Sequence, residues 1–111
     1  MKVAVVGSRT LTQIPLAEYL PPQCTEIVSG GARGVDTYAR DYALSHGLKL
    51  TEFYPDYDRY GRSAPLVRND QIVAHADMVL AFWDGVSRGT LYTLRQCKKQ
   101  GKPWRLFRLV K

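Results

Sequence analysis

The chain alternates short, uninterrupted apolar runs with longer amphipathic stretches, and small residues stand at most of the junctions between them. The runs are Val3–Val6, Glu26–Ser29, Leu48–Phe53, Met78–Trp83 and Trp104–Val110. Several are apolar on consecutive positions, which suits parallel strands covered on both faces. Between them the spacing predicts helices over 11–20, 34–46, 64–76 and 89–101. The second carries Val35, Ala39, Tyr42, Ala43 and His46 on one side and stops at Gly47. The fourth stops at Gly101-Lys102-Pro103. The first is the weakest, because Pro15 falls inside it and Pro21-Pro22 closes it. Five strands with four intervening helices imply an α/β class, a doubly wound parallel sheet with right-handed crossovers.

At 111 residues the expectation is a single domain spanning 1–111, burying roughly two-thirds of the surface of the extended chain. No apolar run approaches the roughly 18 residues that a membrane helix needs. The N-terminal run is too short for a signal-peptide core and reads as a strand. Cys24 and Cys97 lie far apart and form no CxxC. That argues against a disulfide scaffold or a zinc site and suits a reducing cytoplasm. The net charge of +6 is unevenly spread: residues 1–94 carry nine basic and ten acidic side chains, whereas 95–111 carry seven basic ones and no acid. A basic excess hints at nucleic acid, and Lys98, Lys99, Lys102, Arg105 and Arg108 would be the footprint. A solvated surface is the plainer reading of the same cluster.

In a doubly wound sheet the ligand sits beyond the carboxyl ends of the strands, at the switch point. Three strand ends there have small, phosphate-friendly sequences. Gly7-Ser8-Arg9 follows the first. Ser29-Gly30-Gly31-Ala32-Arg33-Gly34-Val35-Asp36 follows the second and leads into a helix. Asp84-Gly85-Val86-Ser87-Arg88-Gly89-Thr90 follows the fourth. Glycines let a backbone approach a ligand closely, and a following helix offers free N–H groups and its positive dipole end to an anion. There is no GxxxxGK[ST], GxGxxG, GxSxG or HExxH, so a P-loop, an ordinary dinucleotide site, a hydrolase elbow and a zincin are disfavoured.

The loop after the third strand interleaves Tyr54, Tyr57 and Tyr60 with Arg59 and Arg62. These could stack on a nucleotide, or the tyrosines could simply cap the sheet. Arg68-Asn69-Asp70 opens the third helix on its polar side, where Arg68 could clamp a phosphate or pair with Asp70. Asp36 could charge a helix N-terminus or reach a ribose hydroxyl; Asp84 could be a general base or a turn residue. His46 and His75 fall off the strand-end loops and read as structural.

VAVVGSR (3–9), IVSGGARGVD (27–36), Arg68-Asn69 and AFWDGVSRGT (81–90) resemble the SLOG superfamily, specifically its YspA-type branch. The resemblance spans residues 3 to about 104, with the motifs in the family's order. It implies a Rossmann-like sheet of strand order 3-2-1-4-5 that binds or senses a nucleotide or nucleotide-derived ligand across the three loops. Gly30, Gly31, Gly34, Gly89 and Thr90 would cradle the phosphate, and Gly7, Ser8 and Arg9 would close the site. Ser29, Ala32, Gly85 and Ser87 belong to the same loops, Arg68 with Asn69 beside it would neutralise charge, and Asp36 or Asp84 would reach the sugar. No metal or redox cofactor is implied, and relatives make a homodimer plausible.

Two related groups supply alternatives. The Lonely Guy phosphoribohydrolases, formerly called lysine decarboxylases, cleave the N-glycosidic bond of a nucleoside monophosphate. Arg68 and Gly89-Thr90 match their motifs, Asn69 replaces a lysine, and Tyr92 or Thr93 fills the place of a glutamate. A catalytic role would fall to Arg68, Asp84 or Asp36. The second group, DNA-processing protein A, has a motif very similar to Ser29–Asp36 and implies a single-stranded DNA-binding module.

Overall fold

The computed structural model describes residues 1–109. Five strands, β1 (Lys2–Gly7), β2 (Glu26–Ser29), β3 (Lys49–Glu52), β4 (Met78–Trp83) and β5 (Trp104–Arg108), form one sheet in the order β3-β2-β1-β4-β5. All four neighbouring pairs run parallel. The fold class is therefore the one expected from the sequence, and the strand order the one its family resemblance implies. The helices are α1 (Leu16–Tyr19), α2 (Val35–Ser45), α3 (Tyr57–Tyr60), α4 (Ala64–His75) and α5 (Arg88–Gln100), with a 3₁₀ turn at Gly61–Ser63 before α4.

Alternation along each strand sorts the core into two layers. Val3, Val5, Ile27, Leu80 and Phe82 pack on one face with α2 and the segment through Leu11, Ile14 and Leu16. Ala4, Val6, Val28, Val79 and Ala81 face α4 and α5, where Ile72, Val73, Leu94 and Cys97 meet them. The central strands β1 and β4 are buried on both faces except at their end residues, which explains why they read as continuous apolar runs. On the first face Phe82 stacks on Phe107 at 5.2 Å, and Phe107 meets Tyr19 at 4.0 Å.

The elements depart from expectation in three places. The first helix is four residues long, not ten, because Pro15 stands at its N-cap in a non-helical conformation and Pro21 follows its end. Residues 11–15 are irregular and still bury Leu11 and Ile14. The loop after β3 contains α3 and the 3₁₀ turn, because the Asp56 side chain accepts from the Arg59 amide and caps the short helix. β5 is described to Arg108, and Val110 and Lys111 lie outside the described residues. Among the described residues no helix is long and apolar enough to cross a membrane.

At the amino edge of the sheet Glu26 is buried and accepts from Thr51 Oγ1 at 2.9 Å and His75 Nε2 at 2.7 Å, with Lys49 Nζ at 3.5 Å. Burial alone would raise its pKa, but the bonds from His75 and Thr51 and the Lys49 charge outweigh it and hold the carboxyl below its ordinary 4.5. A depressed native pKa stabilises the fold above the unfolded value, and that contribution disappears as pH falls through the native one. Glu26→Gln should therefore cost about 1–3 kcal/mol near neutrality. Urea unfolding at a series of pH values should show the gap from the parent chain closing on acidification below about 4. A gap that stays constant with pH would show that Glu26 acts only through its shape.

Candidate functional site

The carboxyl ends of β1 and β4 lie side by side, at the point where the chain order reverses, and the loops after them meet there. Ser8 joins them. Its amide donates to Phe82 O (3.0 Å), and its hydroxyl accepts from the Asp84 amide (3.0 Å). Its carbonyl accepts from Leu11 and from Val35 at the start of α2. Gly34 makes this approach workable: its φ is +74°, and a Cβ there would come within 2.6 Å of the Ser8 and Arg9 carbonyl oxygens.

Two adjoining clefts open at this edge, sharing Arg9, Ala32 and Arg68. The larger, about 380 Å³, runs between the β1 loop and the N-terminal turns of α4 and α5. Gly7, Asp36, Asn69, Asp84, Ser87 and Gly89 line it, with Thr90 beside them. The smaller, about 220 Å³, is lined by Gly30, Gly31, Arg33, Tyr54 and Tyr57. Ser8, Ser29, Gly34 and Gly85 line neither cleft and serve the framework beneath.

Arg68 lies one turn into α4, on its buried side, and not at the helix opening on the polar side. Its Nη1 donates to Gly30 O at 2.7 Å and its Nε to Asn69 Oδ1 at 2.8 Å. Burial works against the guanidinium charge, the nearby Asp36 supports it, and Arg9 opposes it. Gly30 fits between these groups, since a Cβ there would lie 2.8 Å from Arg68 Nη1 and 3.0 Å from Asp36 Oδ2. Asp36 is itself buried, which pushes its pKa up against the amide of Ala32 that donates to it at 3.1 Å. Ser29 is fully buried beside Asp36, and its hydroxyl has no hydrogen-bond partner of good geometry among the described residues.

Asp84 is a turn residue. One oxygen accepts from the Val86 and Ser87 amides at 2.8 and 3.0 Å, the other from the Thr10 hydroxyl at 2.7 Å. Thr10 first and then the two amides hold its carboxyl well below the usual carboxylate range. Ser87 in turn caps α5 by accepting from the Thr90 amide. At the place of the hydrolase glutamate, Thr93 is buried in the larger cleft and donates to Gly89 O. Tyr92 donates to Asp70, which accounts for Asp70 without Arg68.

Other expected groups lie elsewhere. His75 is held by Glu26, and His46 lies on Tyr42, with Nδ1 2.9 Å from its carbonyl. Tyr60 is covered by Arg59 at 5.3 Å. The basic segment does not form one surface. Lys98, Lys99 and Lys102 sit at the C-terminal end of α5, toward the amino edge, where Lys102 donates to Ala76 O. Arg105 lies over Phe107 and Tyr19, and Arg108 lies over Trp83 beside Gly85. Among the described residues no cluster of side chains is arranged to hold a metal. Pro65, Leu66, Ile72 and Thr10 also line the larger cleft. Nothing in their local sequence marks them, because they arrive there through the placement of α4 and the β1 loop.

Residues 1–53 match the family described as DNA recombination-mediator protein A. Gene 61 protein of Mycobacterium phage D29 is 36% identical over 115 aligned residues, covering 92% of this chain and 92% of that protein. Among solved structures, the fold is similar to DNA processing protein A of Helicobacter pylori, a protein reported to have a unique single-stranded DNA binding mode. The TM-score is 0.70 and the identity 24%, over 96% of this chain and 64% of that one.

Gly34→Ala should cost about 1–3 kcal/mol, because the new Cβ meets backbone oxygens at a strained φ. Gly89→Ala meets nothing within 4 Å and should be neutral or stabilise α5 by up to about 1 kcal/mol. Urea midpoints of the two variants test this. Equal shifts would deny the Ser8–Gly34 contact its structural weight.

Proposed function

The chain belongs to the SLOG superfamily, as a domain like that of DNA-processing protein A, and from this premise we propose that its carboxyl-edge clefts bind a nucleotide through its phosphate. The observation that carries the reading is the pair of adjoining clefts sharing Arg9, Ala32 and Arg68. Arg9 and Arg33 are exposed there beside the backbone of Gly30–Ala32, so donors and positive charge converge where a phosphate would enter. Arg68 sits beneath and carries its charge under the loop. Binding without turnover suits the carboxylates that line the larger cleft: Asp84 already accepts at both oxygens and Asp36 accepts from Ala32. Two buried free cysteines suit a reducing, cytoplasmic setting.

A second reading, that the nucleotide is one unit of single-stranded DNA, is favoured by the family and by the single-stranded DNA binding reported for the Helicobacter pylori protein. The strand would then follow the arginines of the carboxyl edge, not the lysines of the C-terminal segment, most of which lie at the other edge.

A thermal-shift panel of nucleoside monophosphates and ADP-ribose derivatives tests the first reading, since a ligand at 100 times its Kd adds about 2.7 kcal/mol. Oligo-dT binding followed from about 50 to 200 mM salt tests the second. Arg9→Ala should weaken whichever ligand binds by about tenfold and flatten the salt dependence, with unfolding unchanged because Arg9 is exposed. Silence across both assays would overturn the site. An unaltered affinity in Arg9→Ala would remove the phosphate from this edge.

A further inference from the structure

The smaller cleft contains an aromatic side chain whose position the phosphate reading leaves unexplained. Tyr54 is 57% exposed, yet it is fixed from two directions. Its hydroxyl donates to Glu52 Oε1 at 2.7 Å, and Glu52 is gripped by Arg40 through Nε at 3.0 Å and Nη2 at 2.9 Å. Its ring lies along the backbone of Gly31, where a Cβ would come to 2.3 Å of ring carbon Cε1. Any residue larger than glycine at 31 would push the ring away. Tyr57, 59% exposed, lines the same cleft from the first turn of α3, which Asp56 caps.

An exposed aromatic usually keeps its rotamer freedom, and ordering it on binding costs free energy. Here the hydrogen bonds and the glycine contact have already ordered it, and Arg9 and Arg33 share its cleft. We infer that Tyr54 is a pre-set platform on which an unpaired nucleobase stacks while its phosphate lies on the arginines. The ligand class is then an unpaired nucleotide, free or within a single strand, and not a phosphosugar. Stacking uses the π-face that every base has, so the site accepts different bases without reading their edges. This inference rests on the phosphate reading of the clefts and adds to it the seat of the base.

The test compares ligands that share a phosphate and differ in the base. A short oligo-dT and an abasic strand of the same length form one pair. Deoxythymidine monophosphate and deoxyribose 5-phosphate form the other, and calorimetry against the whole chain reads both. Tyr54→Ala should weaken the base-bearing member of whichever pair binds by about tenfold and leave its abasic partner unchanged. Tyr54→Phe should keep most of the affinity, because the ring face remains. The pair that responds tells a strand from a free nucleotide. If Tyr54→Ala binds like the parent while Arg9→Ala is weakened, the platform is refuted and the phosphate reading stands. Equal loss for base-bearing and abasic ligands, or a Tyr54→Phe variant as weak as Tyr54→Ala, also overturns the platform. No binding by the parent chain to any of the four refutes both readings.

Discussion

Ser8 ties together the ends of β1 and β4 and the start of α2. Its amide and hydroxyl tie the first loop to β4 and to Asp84, and its carbonyl receives Leu11 and the first amide of α2. A polar residue this buried is tolerable because its backbone groups and hydroxyl are all bonded. The residue facing it must lack a side chain, which explains Gly34. The clefts inherit their shape from this junction. Arg9 follows Ser8 directly, and Gly30, whose carbonyl takes Arg68, leads through Ala32 into α2, which starts against Ser8.

The strands and the three glycine-bearing loops are legible in the sequence, because consecutive apolar residues and glycines after strand ends follow directly from two-sided burial and close backbone approach; the strand order came only with the family resemblance. α1 was misjudged in length because apolar spacing continues through residues 11–16, while Pro15 forbids the hydrogen-bond ladder that spacing suggests. α3 was missed because its four residues have no apolar period, although Asp56 stands where an N-cap belongs. The burial of Arg68 was invisible locally: its acceptor, Gly30 O, is 38 residues away. Asp84 carries a local signal of its turn role, since an Asp whose carboxylate takes the amides two and three residues on is a familiar turn.

Charge counted along the chain is a poor guide to charge in space. The first 94 residues balance almost evenly, yet Arg9, Arg33, Arg59, Arg62 and Arg88 all reach the carboxyl edge through loops and helix starts. Acids of the same segment divide: Asp36 and Asp84 line the larger cleft, while others lie at the opposite edge. Glu26 is buried at the amino edge, and Asp77 accepts from the Lys2 amide. The C-terminal surplus divides too, with Arg108 at the carboxyl end of β5 beside Gly85 and the lysines remote from it. Cations lying over aromatic rings, as Lys98 does over Trp104 and Arg108 over Trp83, cover apolar surface as well as carrying charge.

The carboxylates decide where at this edge an anion can settle. Amides at a strand-to-helix turn attract negative charge, but the Val86 and Ser87 amides already have the Asp84 carboxylate on them. A phosphate arriving there would have to displace a bonded, ionised group and would meet its like charge. The turn before α2 differs. Asp36 takes one amide, that of Ala32, and it is buried against Arg68, so its charge is partly answered from within. Gly30–Ala32 line the smaller cleft with Arg9 and Arg33, and no carboxylate is among its lining residues. The glycine loops that look equivalent in sequence thus differ in what their amides already hold. At the α5 turn Asp84 takes the Val86 and Ser87 amides, and at the α2 turn Asp36 takes that of Ala32 alone among the described residues.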